Sequence, residues 1–88
     1  MFIYITLVMF NRQAVADHIR KCREDKGLTQ FYMAYKLQIS QNCYSKMELG
    51  YSKISLERLF QISEVLEIDA IDTIALGRIK SMVVIKNY

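Results

Sequence analysis

Apolar side chains between residues 28 and 50 recur at helical spacing, and this pattern constrains the fold more than any other feature of the chain. They fall on either side of a short interruption, at Met33, Ala34, Leu37, Tyr44 and Met47. The spacing predicts two short helices joined by a tight turn. Thr29 and Ser40 precede these helices, where a hydroxyl can accept a hydrogen bond from an unpaired backbone amide. Ile39, between the helices, is expected to fill the angle where they meet.

The second of these helices is expected to carry a polar outer face. Its two apolar positions must point inward, which leaves four polar side chains outside: Gln41, Asn42, Ser45 and Lys46. Gln and Asn can each form two hydrogen bonds with an adenine edge, Ser can bond to several bases, and Lys can reach guanine or a phosphate. A face of this chemistry can read the major groove of double-stranded DNA.

A wider set of residues supports this interpretation: Leu28-Thr29-Gln30, Ala34, Ile39-Ser40 and Ser45-Lys46-Met47-Glu48-Leu49-Gly50. With them, the stretch from roughly Ile19 to Asp72 resembles the phage repressor and Cro-type (XRE) family of helix-turn-helix DNA-binding domains. The resemblance implies that Gln30 opens the scanning helix and bonds a phosphate or a base. It implies an ion pair between Arg23 and Glu48. It also implies a set of recognition-helix residues, namely Ser40, Gln41, Asn42, Ser45 and Lys46.

The loop after the recognition helix commonly contacts phosphate in this family, so the resemblance makes Lys53 a candidate clamp on the DNA backbone. Two features depart from the family pattern. The turn position usually held by glycine is Gln38, so either its side chain adopts the left-handed conformation at a cost of about 1 kcal/mol, or the turn bends differently. The scanning helix also carries Phe31, Tyr32 and Tyr35 at positions that are commonly charged. We expect the terminal segments to pack over these rings; the alternative is a surface for a protein partner, since exposed aromatic clusters often mark interfaces.

Length and composition favour one small, mostly helical domain. The chain has 88 residues, 52% of them hydrophobic, with no proline and three glycines. Between residues 18 and 53 there are seven Lys or Arg residues and three Asp or Glu, whereas residues 54–77 hold one Arg and five acidic residues. Taken alone, such charges would only solvate helix surfaces. Their coincidence with the motif favours a basic face toward DNA and an acidic face turned away from it.

Three further helices complete a predicted all-α, five-helix fold. The first is expected over Ala14–Lys26, with Gly27 as its C-terminal cap. The fourth begins after Ser55. The fifth runs from about Ala70 to Leu76 and is closed by Gly77. The core candidates of the fourth helix are Leu56, Leu59, Phe60, Ile62, Leu66 and Ile68, and those of the fifth are Ile71 and Ile74.

The two ends, residues 1–10 and 78–88, are predicted extensions of a helix-turn-helix core at 14–77 within a single domain, 1–88. Phe2–Phe10 and Ser81–Ile85 are rich in Ile, Val, Tyr and Phe, which favours short β-strands. Such strands would lie over the helices or join a second subunit. The N-terminal run is too short to span a bilayer and has no basic leader, so neither membrane insertion nor secretion is expected. Met9 is an alternative initiator.

Little in the sequence indicates catalytic or metal chemistry. Cys22 and Cys43 have no paired spacing, so neither a disulfide nor a zinc site is expected, and a reducing, cytoplasmic setting fits them. His18 and Cys22 are interpreted as a half-buried structural pair rather than as metal ligands. A small residue fits the position of Cys43, which we prefer to a redox switch. No enzymatic activity and no cofactor are expected.

The sequence therefore predicts a transcriptional regulator that binds double-stranded DNA sequence-specifically, acting as a repressor and binding a palindromic operator as a homodimer. The main alternative is a protein-interaction module that uses the same fold, such as an antitoxin or a regulator antagonist. The aromatic scanning helix and the apolar ends favour that alternative.

Overall fold

The computed structural model describes residues 11–77, which form five helices and, within that range, no strand. The helices are α1 (Arg12–Asp25), α2 (Gln30–Leu37), α3 (Gln41–Glu48), α4 (Leu56–Leu66) and α5 (residue 70 to the end of the described range). The five-helix prediction is confirmed. The strands predicted over 2–10 and 81–85 lie outside the described residues.

A polar side chain caps the start of each helix. In α1 to α4 the cap accepts a hydrogen bond of 3.0 Å from the backbone amide three residues later, and the caps are Asn11, Thr29, Ser40 and Ser55. In α5, the carboxylate of Asp69 accepts from the amides of Ile71 and Asp72. The three predicted hydroxyl caps are confirmed. Because Asn11 provides a cap, α1 begins two residues before the predicted Ala14.

The core lies between α1, the α2–α3 pair and α4. Its buried apolar side chains are Val15, Ile19, Met33, Ala34, Leu37, Tyr44, Met47, Leu59, Ile62 and Leu66. Ile39 packs against this cluster from the turn between α2 and α3, as predicted. Three predicted core residues are instead exposed, namely Leu56, Phe60 and Ile71. The inward stripe of α4 runs through Leu59, Ile62, Ser63 and Leu66, and Leu56 and Phe60 lie off this stripe.

The turns that end α1, α2 and α4 pass through the left-handed conformation. Gly27 ends α1 with φ of 71°, as predicted. Gln38 ends α2 with φ of 59°, which confirms that this turn keeps the left-handed geometry without a glycine. Glu67 ends α4 in the same way, with φ of 57°. Gly77 is still helical, so it does not close α5 as predicted.

The two limits of the described range lie side by side, because the amide of Asn11 donates to the carbonyl of Gly77 over 3.5 Å. Among residues 11–77, no helix combines the length and the apolar character required to cross a bilayer.

Candidate nucleic-acid interface

The outer face of α3 is polar and accessible. Gln41, Asn42 and Lys46 are exposed and Ser45 is partly exposed, whereas Tyr44 and Met47 are only 0% and 5% exposed. The predicted division between an inward and an outward face of this helix is therefore confirmed. Because Tyr44 and Met47 anchor the helix in the core, the four polar side chains have a fixed platform.

The N-terminus of α3 lies beside this face. The hydroxyl of Ser40 accepts from the amide of Cys43, so the side chain is engaged in capping. The remaining amides of the first helical turn carry the positive end of the helix dipole, which favours an approaching anion. Ser40 thus positions the start of the helix through an acceptor position of its hydroxyl, and this bond does not use the hydroxyl proton.

A buried ion pair holds α3 against α1. The guanidinium of Arg23 donates to the carboxylate of Glu48, with Nε 2.6 Å from Oε2 and Nη2 3.1 Å from Oε1. Its Nη1 donates to the carbonyl of Leu28 over 2.7 Å, which fixes the loop before α2. The ion pair implied by the family resemblance is confirmed. It lies in the interior, since Arg23 is 8% exposed and Glu48 2% exposed.

Tyr44 also contacts this pair, because its hydroxyl donates to Oε2 of Glu48 over 2.5 Å. Burial by itself would raise the pKa of Glu48, but the hydrogen bonds from Arg23, Tyr44 and Gln30 outweigh burial and hold this pKa below its usual value. Burial, together with the bond to Glu48, raises the pKa of Tyr44. The hydrogen bond to Glu48 raises the pKa of Arg23. Glu48 is therefore an ionised carboxylate at neutral pH.

Gln30 connects the buried pair to the outer face of α3. Its amide nitrogen donates to Oε1 of Glu48 over 3.1 Å, and its amide oxygen accepts from the hydroxyl of Ser45 at 2.6 Å. The sequence placed Gln30 and Ser45 on the interface separately and missed their contact. The signal that could have revealed it is Glu48, a buried carboxylate with unused acceptor capacity beside the start of α2.

Apart from the buried Arg23, the cations of the basic segment fall into two groups, those paired with a carboxylate and those without an ion pair. On α1 and just after it, Arg20, Lys21 and Lys26 pair with Glu24, Asp25 and Glu67 at 3.5, 3.7 and 3.7 Å. Lys36 on α2, Lys46 on α3 and Lys53 in the segment before α4 are exposed, and none of the three forms an ion pair within residues 11–77. The uncompensated positive charge of Lys46 thus lies on the outer face of α3, and that of Lys53 in the loop that follows.

An exposed aromatic cluster marks α2. Phe31, Tyr32 and Tyr35 are 67%, 39% and 71% exposed, and the Nζ of Lys36 lies 6.0 Å from the centre of the Tyr32 ring. A shallow groove connects Phe31 and Tyr35 to the start of α3. The terminal segments that were expected to cover these rings lie outside the described residues.

The two cysteines occupy different environments. Cys22 is half-buried on α1, where its Sγ lies 3.5 Å from Nε2 of His18, so these two residues form the expected contact. Cys43 is exposed near the start of α3. Over the described range, no three His, Cys, Asp or Glu side chains group closely enough to hold a metal ion.

Comparison with known proteins identifies relatives of this arrangement. Residues 19–72 match a family model described as "Helix-turn-helix". The chain is 38% identical over 53 residues to YqaE, an uncharacterised helix-turn-helix-type transcriptional regulator of Bacillus subtilis (strain 168). That alignment covers 60% of this chain and 46% of YqaE, so the chain spans less than half of the relative's length.

A solved structure shares the fold. The clp gene regulator ClgR from C. glutamicum superposes with a TM-score of 0.69 at 28% sequence identity, over 81% of this chain and 91% of that one. The family match covers more than half of the chain, and the buried Arg23–Glu48 pair and the α2–α3 turn lie inside it. The chain belongs to the helix-turn-helix family of phage repressor and Cro-type regulators.

Proposed function

We propose that this protein is a transcriptional regulator that binds double-stranded DNA sequence-specifically and inserts α3 into the major groove. The observation that carries the proposal is the outer face of α3, where Gln41, Asn42 and Lys46 are exposed on a helix held firmly by its buried side. A helix with such side chains matches the donor and acceptor pattern of base edges.

Each side chain receives a role from its position. Gln41, Asn42 and Ser45 contact base edges, and Lys46 reaches guanine or a phosphate. Gln30 and Lys53 bind the DNA backbone and set the register of the protein on the duplex. Ser40 orients the first turn of α3, whose amides lie close to a phosphate.

The regulator acts as a homodimer on a palindromic operator. Two copies related by a twofold axis would place their recognition helices about 34 Å apart, one turn of duplex. Occupying such an operator would block polymerase, which makes repression the simplest outcome. We assign the helix-turn-helix core to residues 14–77 of a single domain and place the protein in the cytoplasm, with the genome.

Selection of bound sequences from a random duplex pool by the full chain at near-physiological salt tests the proposal. We expect enrichment of a palindrome whose half-sites are one helical turn apart. If the protein retained duplexes without enriching any sequence, sequence-specific binding would be contradicted. If it retained no duplex at all, DNA binding itself would be contradicted.

The same selection, repeated with single variants, tests which residues contact the bases. Gln41→Ala should relax the preference at one base position of each half-site, at a cost of about 1 to 3 kcal/mol in binding free energy. Gln61→Ala, on the exposed side of α4, is the matched control and should leave the selected sequence unchanged. An unaltered preference in Gln41→Ala would remove this residue from the readout.

A second candidate function is binding of a protein partner through the aromatic cluster of Phe31, Tyr32 and Tyr35. The exposure of these rings is the observation that favours it. The variant carrying Phe31→Ser and Tyr35→Ser separates the two functions. If the cluster binds a partner, this variant keeps operator affinity in vitro but loses regulation of a reporter gene in the host. Equal regulation by the variant and the parent would count against a partner at this surface.

A further inference from the structure

The hydrogen bonds around Glu48 have only one consistent direction. Its carboxylate receives donors from Arg23, Tyr44 and Gln30. An ionised carboxylate accepts hydrogen bonds and donates none. The side chain of Gln30 must therefore turn its amide nitrogen, and not its oxygen, toward Glu48.

This orientation determines what Ser45 can do. With the nitrogen of Gln30 on Glu48, its amide oxygen faces Oγ of Ser45 at 2.6 Å. An amide oxygen only accepts, so the hydroxyl proton of Ser45 must occupy this bond. A serine hydroxyl has one proton and two acceptor positions, and only acceptor positions remain for a ligand.

We propose that Ser45 reads DNA purely as a hydrogen-bond acceptor, and that it therefore contacts an exocyclic amino group in the major groove, N6 of adenine or N4 of cytosine. The inference rests on the proposed DNA-binding function and deepens it. Serine is ordinarily an ambiguous reader, because its hydroxyl can donate to one base and accept from another. Here Gln30 acts as a positioning residue, because it accepts the only proton of the Ser45 hydroxyl and leaves that hydroxyl able only to accept from a base.

Base analogues on the selected operator test the proposal. The position read by Ser45 is located by comparing sequences selected by the wild-type chain and by Ser45→Ala. In duplexes altered at that position, purine in place of adenine, or pyrimidin-2-one in place of cytosine, removes the amino group and changes nothing else on the base. The matched control duplex carries 7-deazaadenine or 7-deazaguanine in the same base pair, which removes an acceptor instead.

We expect removal of the amino group to weaken wild-type binding about fivefold, which is the size of one neutral hydrogen bond. Ser45→Ala should bind the amino-deleted and natural duplexes in a ratio close to one, which corrects for any change in the duplex itself. The change in affinity caused by the 7-deaza substitution should be the same for the wild-type chain and for Ser45→Ala. Circular dichroism establishes that the variant is folded, and a partly exposed serine in a helix tolerates alanine.

Gln30→Ala tests the positioning role. Loss of Gln30 frees the Ser45 proton, so the hydroxyl can donate as well as accept. We expect this variant to bind all duplexes more weakly. We also expect its affinities for the amino-deleted and 7-deaza duplexes to differ by less than those of the wild-type chain. A merely structural role for Gln30 would lower both affinities and leave their ratio unchanged.

Two results would overturn the inference while leaving the proposed function intact. The first is a Ser45-dependent loss of affinity that occurs only with the 7-deaza duplex. The second is that Ser45→Ala selects the same sequence as the wild-type chain. Failure of the wild-type chain to enrich any sequence would remove the proposed function, and the inference with it. The outcomes are therefore distinguishable.

Discussion

Arg23 on α1 and Glu48 at the end of α3 are 25 positions apart in the sequence and joined by two hydrogen bonds, of 2.6 and 3.1 Å. Burial makes this pair sensitive to the loss of one member. Each side chain is almost inaccessible to water, so neither charge can be hydrated if its partner is removed. The pair therefore makes the packing of α3 on α1 depend on both residues together.

Arg23→Met should lower the free energy of unfolding by about 3 to 5 kcal/mol, because it leaves the carboxylate of Glu48 buried without its counter-charge. Urea denaturation at pH 7 measures this loss. Arg20→Met is the matched control, since Arg20 pairs with Glu24 at the surface, where such pairs contribute about 0 to 1 kcal/mol. If the two variants lost equal free energy of unfolding, the buried pair would contribute no more to stability than a surface pair, and the prediction would be wrong.

The stability of the protein should fall as acid protonates Glu48. Its pKa is lower in the folded protein than the ordinary value of about 4.3 in the unfolded chain. A lowered folded-state pKa stabilises the protein above the unfolded value, and this contribution is lost as pH falls from about 4.3 through the folded pKa. Urea unfolding from pH 7 to pH 3 should show a weaker pH dependence in Glu48→Gln than in the wild-type chain. Parallel profiles would argue against this linkage.

Gln38→Gly should stabilise the protein by about 0.5 to 1 kcal/mol. The residue has φ of 59°, a conformation that strains any side chain but not glycine, and this relief exceeds the entropy that glycine adds to the unfolded chain. Thermal denaturation checks the prediction. Glu64 is an exposed position inside α4, and Glu64→Gly should instead destabilise the protein by about 1 kcal/mol. A destabilised Gln38→Gly would mean that the turn is not strained.

Ser40→Ala and Ser55→Ala separate capping from recognition. Both hydroxyls accept a 3.0 Å bond from the third amide of their helix, so each variant should lose about 1 kcal/mol of stability. Only Ser40 starts α3, and only its variant should also lose affinity for the selected operator. Loss of operator affinity in Ser55→Ala to the same extent would show that stability alone accounts for the effect.

Lys53→Gln should weaken binding to all duplexes and make the fall of log affinity with log salt less steep by about 0.9 for each bound subunit, the value for one released counterion. Lys53 is exposed and forms no ion pair with any other described residue. Titration of labelled duplex at several salt concentrations gives the slope. Lys21→Gln should leave it unchanged, since Lys21 already pairs with Asp25. An unaltered slope in Lys53→Gln would exclude a phosphate contact.

Local sequence signals predicted much of this structure. Hydroxyl residues before apolar repeats located the starts of α2, α3 and α4, because capping depends on neighbours three residues away. The same reasoning missed Asn11 and Asp69, which cap α1 and α5 with side-chain oxygens rather than hydroxyls. It also overestimated burial at Phe60, since apolar character alone does not tell which side of α4 meets the core.

The contacts of the candidate site were less accessible to sequence reasoning. Gln30 and Ser45 are 15 positions apart, and their hydrogen bond exists only because the α2–α3 turn brings the two helices together. Its direction depends in turn on the charge of Glu48, a buried residue at the end of α3 that accepts from Gln30. Residue types identify candidates for DNA contact, but the protons available for that contact depend on the folded network.

The bond between Gln30 and Ser45 divides the recognition helix into parts with different freedom to change. Gln41, Asn42 and Lys46 project into solvent, so replacing them alters the surface without disturbing the interior. A change at Ser45 has a further effect, because its hydroxyl donates to Gln30, whose amide donates to the carboxylate that pairs with Arg23. If α3 reads DNA as proposed, a lineage of such proteins could acquire new operators by substitution at the exposed three residues alone, whereas any substitution at Ser45 also alters the hydrogen bonding of Gln30 behind it.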